Sequence, residues 1–270
     1  MTGVGAGSPR LWLIGCGNMG GAMLSRWIDS GAIDAANVDV VSRTDHALPG
    51  GVRQGRALPD GPLPDIVMLA MKPQQLEGVA AAHAVRLAGT PMLVSILAGV
   101  EEATIAGRFD VGAIVRAMPN LPVALGKGVV ALSSLSADDD ARARAAALMA
   151  PLGLVEWVDE PSFDAVTALA GSGPAFLYRF IEALAAGGAA LGLPAAQAER
   201  LAIATVEGGA ALAAAASEPP AVLADRVASP GGSTREGLNV LDRADALMVL
   251  LEETVAASAR HNAVLAAAAR

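Results

Sequence analysis

The sequence is poor in the residues that build disulfide frameworks and metal centres. Its 270 residues include one cysteine, Cys16, and three histidines (His46, His83 and His261) that lie far apart along the chain. A single cysteine excludes an internal disulfide framework and fits the reducing cytoplasm, where we expect the protein to be located. No group of residues has the spacing of zinc ligands, so we expect no metal site.

Aromatic residues and basic charge are also scarce, at 3% aromatics, a net charge of −8 and a pI near 4.9. Such an acidic chain argues against a nucleic-acid partner. No apolar run reaches the ~18 residues that a membrane span needs, and residues 1–9 lack the apolar core of a signal peptide. We therefore expect no membrane partner. Hydrophobic residues nevertheless make up 53% of the chain, enough for about two domains rich in alanine and glycine.

The most informative stretch is residues 11–20, LWLIGCGNMG, in which an apolar run leads through glycines into an amphipathic segment. Strand, glycine turn and helix in this order are typical of a dinucleotide-binding fingerprint. Gly15 permits the tight turn, Gly17 lets backbone amides approach a pyrophosphate, and Gly20 allows close packing of helix on strand. The alternative is a strand–helix turn without a ligand. The candidate cofactor-binding residues here are Gly15, Cys16, Gly17, Asn18, Met19 and Gly20.

The end of the second predicted strand, Val38–Val41, indicates which dinucleotide binds. A carboxylate at this point selects NAD, because it binds both ribose hydroxyls and repels a 2′-phosphate. The sequence has Ser42, Arg43 and Thr44 instead, and two hydroxyls with a cation favour the 2′-phosphate of NADPH. Two alternatives stay open: Arg43 is a solvated surface residue, or the flanking Asp39 and Asp45 allow NADH.

Three further predicted strands, at residues 65–70, 92–96 and 112–116, each end beside a proline or glycine. Ligands of doubly wound sheets bind at the carboxyl ends of the strands, so we expect one shared cleft there. Residues 45–64 predict an irregular crossover, and residues 128–132 and 155–158 predict edge-type strands. We interpret the acidic run at 138–140 as a helix cap and not as a metal site.

Beyond residue 161 the strand pattern ends and helical segments follow, at roughly 162–170, 174–191, 195–216, 220–228, 234–243 and 244–268. We therefore predict an α/β N-terminal Rossmann-like domain (1–160) and an all-α C-terminal dimerisation domain (161–270). Alanine- and glycine-rich helices with little polar face need to be buried, and about 110 residues cannot bury several of them. A second subunit is the simplest cover.

Two loops in this half begin helices. In residues 171–174, GSGP, either Ser172 or Gly173 is the expected N-cap, with Pro174 in the first turn. In residues 229–234, SPGGST, hydroxyls and glycine amides at a helix start suit a carboxylate ligand. A capping box from Ser233 to Glu236 explains the same residues without a ligand, and spacing alone does not separate the two interpretations.

Taken together, GCGNMG at 15–20, AMKPQ at 70–74, RAMPN at 116–120, GSGPAF at 171–176 and SPGGST at 229–234 resemble the pyrroline-5-carboxylate reductase family. The resemblance implies NAD(P)H-dependent reduction of the cyclic imine 1-pyrroline-5-carboxylate to L-proline, by a homodimer whose five-fold assembly gives a decamer. It places Ala70, Met71, Lys72, Pro73, Ala98 and Asn120 at the nicotinamide end of the cofactor. It places Ser229, Gly231, Gly232, Ser233 and Thr234 on the substrate carboxylate, with Thr234 also near the ring nitrogen as the candidate catalytic residue.

The implied chemistry fits a chain without a candidate catalytic histidine or carboxylate. An iminium carbon is already electrophilic, so positioning over the nicotinamide supplies most of the effect. The sequence departs from the family at Arg56-Ala57-Leu58, where many members have an asparagine that touches the ribose phosphate, and Glu236 adds negative charge beside the proposed carboxylate site. The alternative functions are a reductase of another small imine or oxo acid and a non-catalytic nucleotide sensor.

Overall fold

The computed structural model describes residues 8–268, which divide into two compact units. One unit holds the described residues up to Ser172 together with those from Ser258 onward, and the other is Gly173–Ala257. The division lies later in the chain than the domain boundary predicted at 160, and the end of the last helix is grouped with the first unit. We refer to them as the nucleotide unit and the helical unit.

The nucleotide unit is built on one sheet, which within the described residues has eight strands in the order β3-β2-β1-β4-β5-β6-β7-β8. All neighbouring pairs are parallel except β6 and β7. The first six positions have the strand order of a doubly wound Rossmann sheet. The strands are β1 Leu11–Ile14, β2 Val38–Val41, β3 Arg53–Gly55, β4 Ile66–Leu69, β5 Met92–Ser95, β6 Ala113–Pro119, β7 Gly128–Ser133 and β8 Gly153–Trp157.

Helices cover both faces of this sheet, as uninterrupted buried strands require. Every residue of β1 is buried, and alternate side chains enter different cores: Leu11 and Leu13 pack with Trp27, and Trp12 and Ile14 pack on the opposite face. The indole Nε1 of Trp27 donates to the Leu148 carbonyl at 2.7 Å. The helices of this unit are α1 Asn18–Asp29, α2 Leu76–Leu87, α3 Glu102–Ala106, α4 Asp139–Met149 and α5 Phe163–Val166.

Two sequence predictions about the sheet are wrong. Residues 128–132 do not form an edge strand: β7 lies between β6 and β8, because β6 continues to Pro119 and pairs antiparallel with β7. The crossover at 45–64 is not wholly irregular either, since it contains β3 at the sheet edge. β3 has only three residues and none of them is buried, so its sequence does not show the apolar alternation by which a strand is recognised. The acidic run is a helix cap as predicted, with Asp138 accepting from the Ala141 amide at 2.8 Å.

The predicted N-cap at Ser172 or Gly173 is also wrong. A π-helical turn, Thr167–Gly171, continues α5, and Ser172 keeps helical backbone angles (φ −85°, ψ −22°). The chain is therefore already helical when it reaches Gly173, so no capping conformation is needed. The Ser172 hydroxyl lies 3.0 Å from that of Ser258. Pro174 is in the first turn of the following helix, as expected.

The helical unit follows the predicted segments closely. Its helices are α6 Gly173–Ala190, α7 Ala195–Ala215, α8 Pro220–Val227, α9 Ser233–Leu241 and α10 Ala246–Ala268, the last of which ends in the nucleotide unit. Large apolar side chains are exposed along it in the single chain, among them Leu191 (90%), Val227 (67%), Leu212 (63%) and Met248 (62%). No helix in the described part of the chain is both long enough and apolar enough to cross a membrane.

Candidate active site

The glycine turn after β1 has the geometry that its sequence predicts. Gly15 has a φ of +87°, and a Cβ there would lie 2.7 Å from the Ala70 carbonyl oxygen. At Gly20 a Cβ would lie 3.1 Å from the Ala70 Cβ, so α1 packs closely on the end of β4. Gly17 is different, because a Cβ would meet nothing within 4 Å, and the residue is an exposed N-cap of α1. Nothing in the described chain requires glycine at position 17, whereas an approaching pyrophosphate does.

The carboxyl ends of the parallel strands line one cleft of about 1680 Å³ within the nucleotide unit. This volume exceeds the roughly 300–1,000 Å³ of sites for drug-sized ligands and suits a dinucleotide. Fourteen of the predicted cofactor residues line it: Gly15, Cys16, Gly17, Asn18, Met19, Gly20, Ser42, Arg43, Thr44, Ala70, Met71, Lys72, Pro73 and Ala98. These residues lie together because the strands end at the same level of the sheet: Ile14, at the end of β1, is paired with Val41 of β2 and Leu69 of β4.

Asn120, the remaining predicted cofactor residue, does not line the cleft. Its side chain is buried, with Oδ1 accepting from the Val129 amide at 2.8 Å and Nδ2 donating to the Ala170 carbonyl at 2.9 Å. These bonds tie the end of β6 to β7 and to the π-helical turn. Close packing supports the same junction, because a Cβ on Gly171 would lie 3.2 Å from the Met118 sulfur. The geometry therefore gives Asn120 a supporting position behind the cleft wall.

The loop after β2 brings hydroxyl, imidazole and guanidinium groups to the cleft. His46 Nε2 lies 2.9 Å from the Ser42 hydroxyl and 3.2 Å from that of Thr44. Arg43 is exposed, and within the described residues it has no ion-pair partner. The side chain of Asp39 is 9% exposed and is not available to a ribose, because Arg53 donates to both its carboxylate oxygens at 2.6 and 2.7 Å. This pairing weakens the case for NADH.

Sequence reasoning missed several residues that line this cleft. His46 and Arg56 lie in the segment that was interpreted as irregular, and His83 on α2 has no motif around it. Arg116 gave no signal beyond its place in RAMPN; it stacks over the Phe163 ring at 4.1 Å and forms an ion pair with Glu160. The departure at Arg56 was visible in the sequence, but its position beside Ser42 follows only from the pairing of β3 with β2.

Two titratable groups in the cleft are held neutral near pH 7. Burial raises the pKa of the Cys16 thiol, so this side chain packs in the turn as a thiol and not as a nucleophilic thiolate. Burial also lowers the pKa of His83, although a backbone hydrogen bond with Ala82 partly opposes the shift. Neither group supplies a charged acid or base for the reaction at neutral pH.

The second candidate loop lies in the helical unit and opens α9. Gly231 has a φ of +70°, the Gly232 amide donates to the Ser229 carbonyl at 2.9 Å, and Gly232 is the N-cap. Of the two interpretations of this loop, the structure contradicts the capping box from Ser233 to Glu236: within the described residues no side chain caps α9, and Ser233 already lies in its first turn. The first amides of a helix have no intrahelical acceptor, so this exposed turn can receive an anion.

Arg235 holds this turn against the preceding helix. Its Nη2 donates to Asp225 at 2.7 Å and lies 3.4 Å from the Ala228 carbonyl. Because Asp225 engages the guanidinium, Arg235 acts here as a brace for the loop. Ser229, Ser233 and Thr234 remain exposed.

Comparison with known proteins assigns the chain to a family. A curated pyrroline-5-carboxylate reductase of Synechocystis sp. is 38% identical over 266 residues, which cover 94% of this chain and 97% of that protein. The chain belongs to the pyrroline-5-carboxylate reductase family. A family model described as pyrroline-5-carboxylate reductase dimerisation matches residues 160–265, and another, described as NADP oxidoreductase coenzyme F420-dependent, matches residues 10–99.

Solved structures agree with the pyrroline-5-carboxylate reductase assignment. A pyrroline-5-carboxylate reductase from Coxiella burnetii has a TM-score of 0.87 at 30% identity, with 95% of this chain and 98% of that chain covered. A Plasmodium falciparum pyrroline carboxylate reductase with NADP bound shares the fold at a TM-score of 0.81 and 22% identity, with 96% and 98% covered. The predicted fold class, a Rossmann-like half followed by helices, is confirmed, and the protein is an oxidoreductase.

Proposed function

We propose that the protein reduces 1-pyrroline-5-carboxylate to L-proline with NADPH. The observation that carries the proposal is the cleft at the carboxyl ends of the strands, in a chain whose relatives are named for this reaction. The bound cofactor supplies a hydride for the carbon of the C=N bond, and the nitrogen takes up a proton. The residues of the chain bind and orient the two reactants.

The proposed cofactor contacts follow the cleft from one end to the other. The glycine turn and the amino end of α1 take the pyrophosphate, because exposed amides and the helix dipole favour negative charge there. Ser42, Arg43 and Thr44 take the 2′-phosphate. Residues 70–73 and Ala98 take the nicotinamide end. Asn120 supports the end of β6 from behind, consistent with the two backbone hydrogen bonds of its amide.

The proposed substrate contacts come from the turn before α9. Ser229, Gly231, Gly232 and Ser233 hold the carboxylate, with backbone amides and hydroxyls as donors. Thr234 donates a hydrogen bond near the ring nitrogen. Holding a small charged ring in one orientation is the main catalytic requirement, because the imine is itself electrophilic.

The replacement Thr234→Ala tests the proposal. We expect kcat/KM for the imine to fall by roughly 10- to 100-fold, as the loss of one or two hydrogen bonds in the transition state predicts. Oxidation of NADPH, followed by its absorbance, measures the rate. Thr205→Ala is the matched control, because the Thr205 hydroxyl donates to the Leu201 carbonyl within α7. An unchanged kcat/KM for Thr234→Ala contradicts the assignment, and a panel of cyclic imines and 2-oxo acids tests the substrate.

We also propose that the enzyme is a cytoplasmic homodimer and that five dimers assemble into a decamer. The exposed apolar residues of the helical unit support the dimer, since large apolar patches mark association surfaces. Gel filtration with light scattering measures the mass. A stable monomer contradicts this assembly.

A further inference from the structure

Arg56 directly follows β3 and is a second arginine, besides Arg43, beside the loop that contains Ser42 and Thr44. Its Nη1 donates to the Ser42 carbonyl at 2.9 Å, and its Nη2 lies 3.0 Å from a carboxylate oxygen of Asp45. The side chain is 54% exposed and lines the same cleft as Arg43. One edge of the guanidinium is thus fixed to the backbone of the loop while the group stays open to solvent.

The charges around this loop favour an anion. Asp39 is bound on both oxygens by Arg53, and Asp45 is engaged by Arg56, whereas Arg43 is unpaired among the described residues. A guanidinium has five N–H donors in a fixed plane, so the bond to Ser42 leaves others free. A phosphate dianion is a better partner for them than the exposed carboxylate of Asp45, which is 81% exposed and well solvated.

We propose that Arg56 is a second ligand of the cofactor's 2′-phosphate and determines, together with Arg43, the preference for NADPH. The inference rests on the proposed use of NADPH, and Arg56 belongs to the stretch Arg56-Ala57-Leu58, where many members of the family have an asparagine. Binding exchanges the Asp45 carboxylate for the phosphate, and the bond to the Ser42 carbonyl keeps the guanidinium in place. His46 holds the hydroxyls of Ser42 and Thr44 beside it.

Calorimetric binding of 2′,5′-ADP and 5′-AMP to the full-length enzyme tests the proposal without catalysis, because the two probes differ in the 2′-phosphate. For Arg56→Gln we expect the Kd of 2′,5′-ADP to rise about 10- to 100-fold, as the loss of a charge-assisted contact predicts. The Kd of 5′-AMP should change by less than about 3-fold. Asp45→Asn should tighten 2′,5′-ADP by a few-fold, because it removes the competing carboxylate.

Arg144→Gln is the matched control, since Arg144 pairs with Asp140 at 3.0 Å with a comparable exposure of 45%, away from the cleft on α4. It should leave both Kd values unchanged. Equal weakening of both probes by Arg56→Gln would show that Arg56 only braces the loop, and unchanged binding of 2′,5′-ADP would overturn the proposal outright. If the unaltered enzyme instead binds both probes equally, the NADPH preference itself fails, which is a distinct result.

Discussion

For two glycines of the turn after β1 we predict different effects of substitution, one on the stability of the protein and the other on its affinity for the cofactor. Gly15→Ala places a methyl group against the Ala70 carbonyl, with the backbone at a φ of +87°. Gly17→Ala places a methyl group where nothing of the chain lies within 4 Å, at an N-cap φ of −76°. The first glycine is therefore required by the fold, and we propose that the second is required by the ligand.

The size of each effect follows from this geometry. Gly31→Ala isolates the backbone term, because Gly31 has a φ of +71° but open space around it, and the left-handed conformation costs alanine about 1–2 kcal/mol. Gly15→Ala adds overpacking against backbone atoms, so we expect its unfolding free energy to drop by about 2–5 kcal/mol. For Gly17→Ala we expect the unfolding free energy to change by less than about 1 kcal/mol, because the reduced freedom of the unfolded chain opposes the poorer N-cap propensity of alanine.

Urea unfolding without cofactor, at one fixed protomer concentration, and calorimetric titration with NADPH measure the two properties separately. Gly17→Ala should weaken NADPH binding about 10-fold or more, since the methyl group occupies the approach of the pyrophosphate. Two results would refute the reasoning. One is NADPH binding by Gly17→Ala at unaltered affinity, and the other is a Gly15→Ala destabilisation no larger than that of Gly31→Ala.

Three further predictions concern other parts of the chain. Asn120→Ala should lower the unfolding free energy by about 1–3 kcal/mol, because it leaves the partly buried amide of Val129 without its side-chain acceptor; chemical denaturation measures this. Burial lowers the pKa of His83, so its contribution to stability is complete above about pH 6.5 and is lost as the pH falls through its folded pKa; an NMR titration midpoint of 6.5 or higher would contradict it. Leu250→Lys, on the exposed apolar surface of α10, should reduce the mass seen by light scattering, whereas Val85→Lys on α2 should not.

Much of the nucleotide unit was predictable because β1, β4 and β5 are short, fully buried strands with a glycine or proline within the next four residues. All four residues of β1 are buried, so four consecutive apolar residues before a glycine were sufficient to predict this strand. The position of β7 was not predictable, because β7 pairs with the four residues Arg116–Pro119 of β6, and the last three of these lie beyond the strand predicted at 112–116. When neither of two strands has an alternating hydrophobic pattern, nothing in their local sequences indicates that they pair.

The cleft was predictable wherever a motif lies at the end of a strand, and not where a side chain arrives from a neighbouring segment. Ser42 and Arg43 follow β2 directly, so their place near the ribose follows from chain order. Arg56 reaches them only because β3 pairs with β2 in parallel, with Gly55 beside Val41. The π-helical turn at Thr167–Gly171 was not predicted from the sequence either, where these residues were interpreted as part of an ordinary helical segment.

The scarcity of aromatic residues noted in the sequence leads to a last prediction about the helical unit. Trp12 and Trp27 are fully buried in the nucleotide unit, whereas Tyr178 and Phe180 on α6 are 58% and 45% exposed. Among the described residues of Gly173–Ala257, the buried apolar side chains are the alanines 198, 202 and 228.

Three methyl groups cannot offset the conformational entropy of ordering such a segment, which costs about 1.5 kcal/mol per residue. We therefore expect a second copy of the chain to supply much of the stabilising burial, so the helical unit should gain stability on association. We expect the unfolding midpoint to rise with protein concentration, as mass action requires of a dimer whose protomers are unstable apart. A midpoint independent of concentration over about a hundredfold range, in a sample that light scattering shows to be monomeric, would contradict this account of the alanine-rich helices.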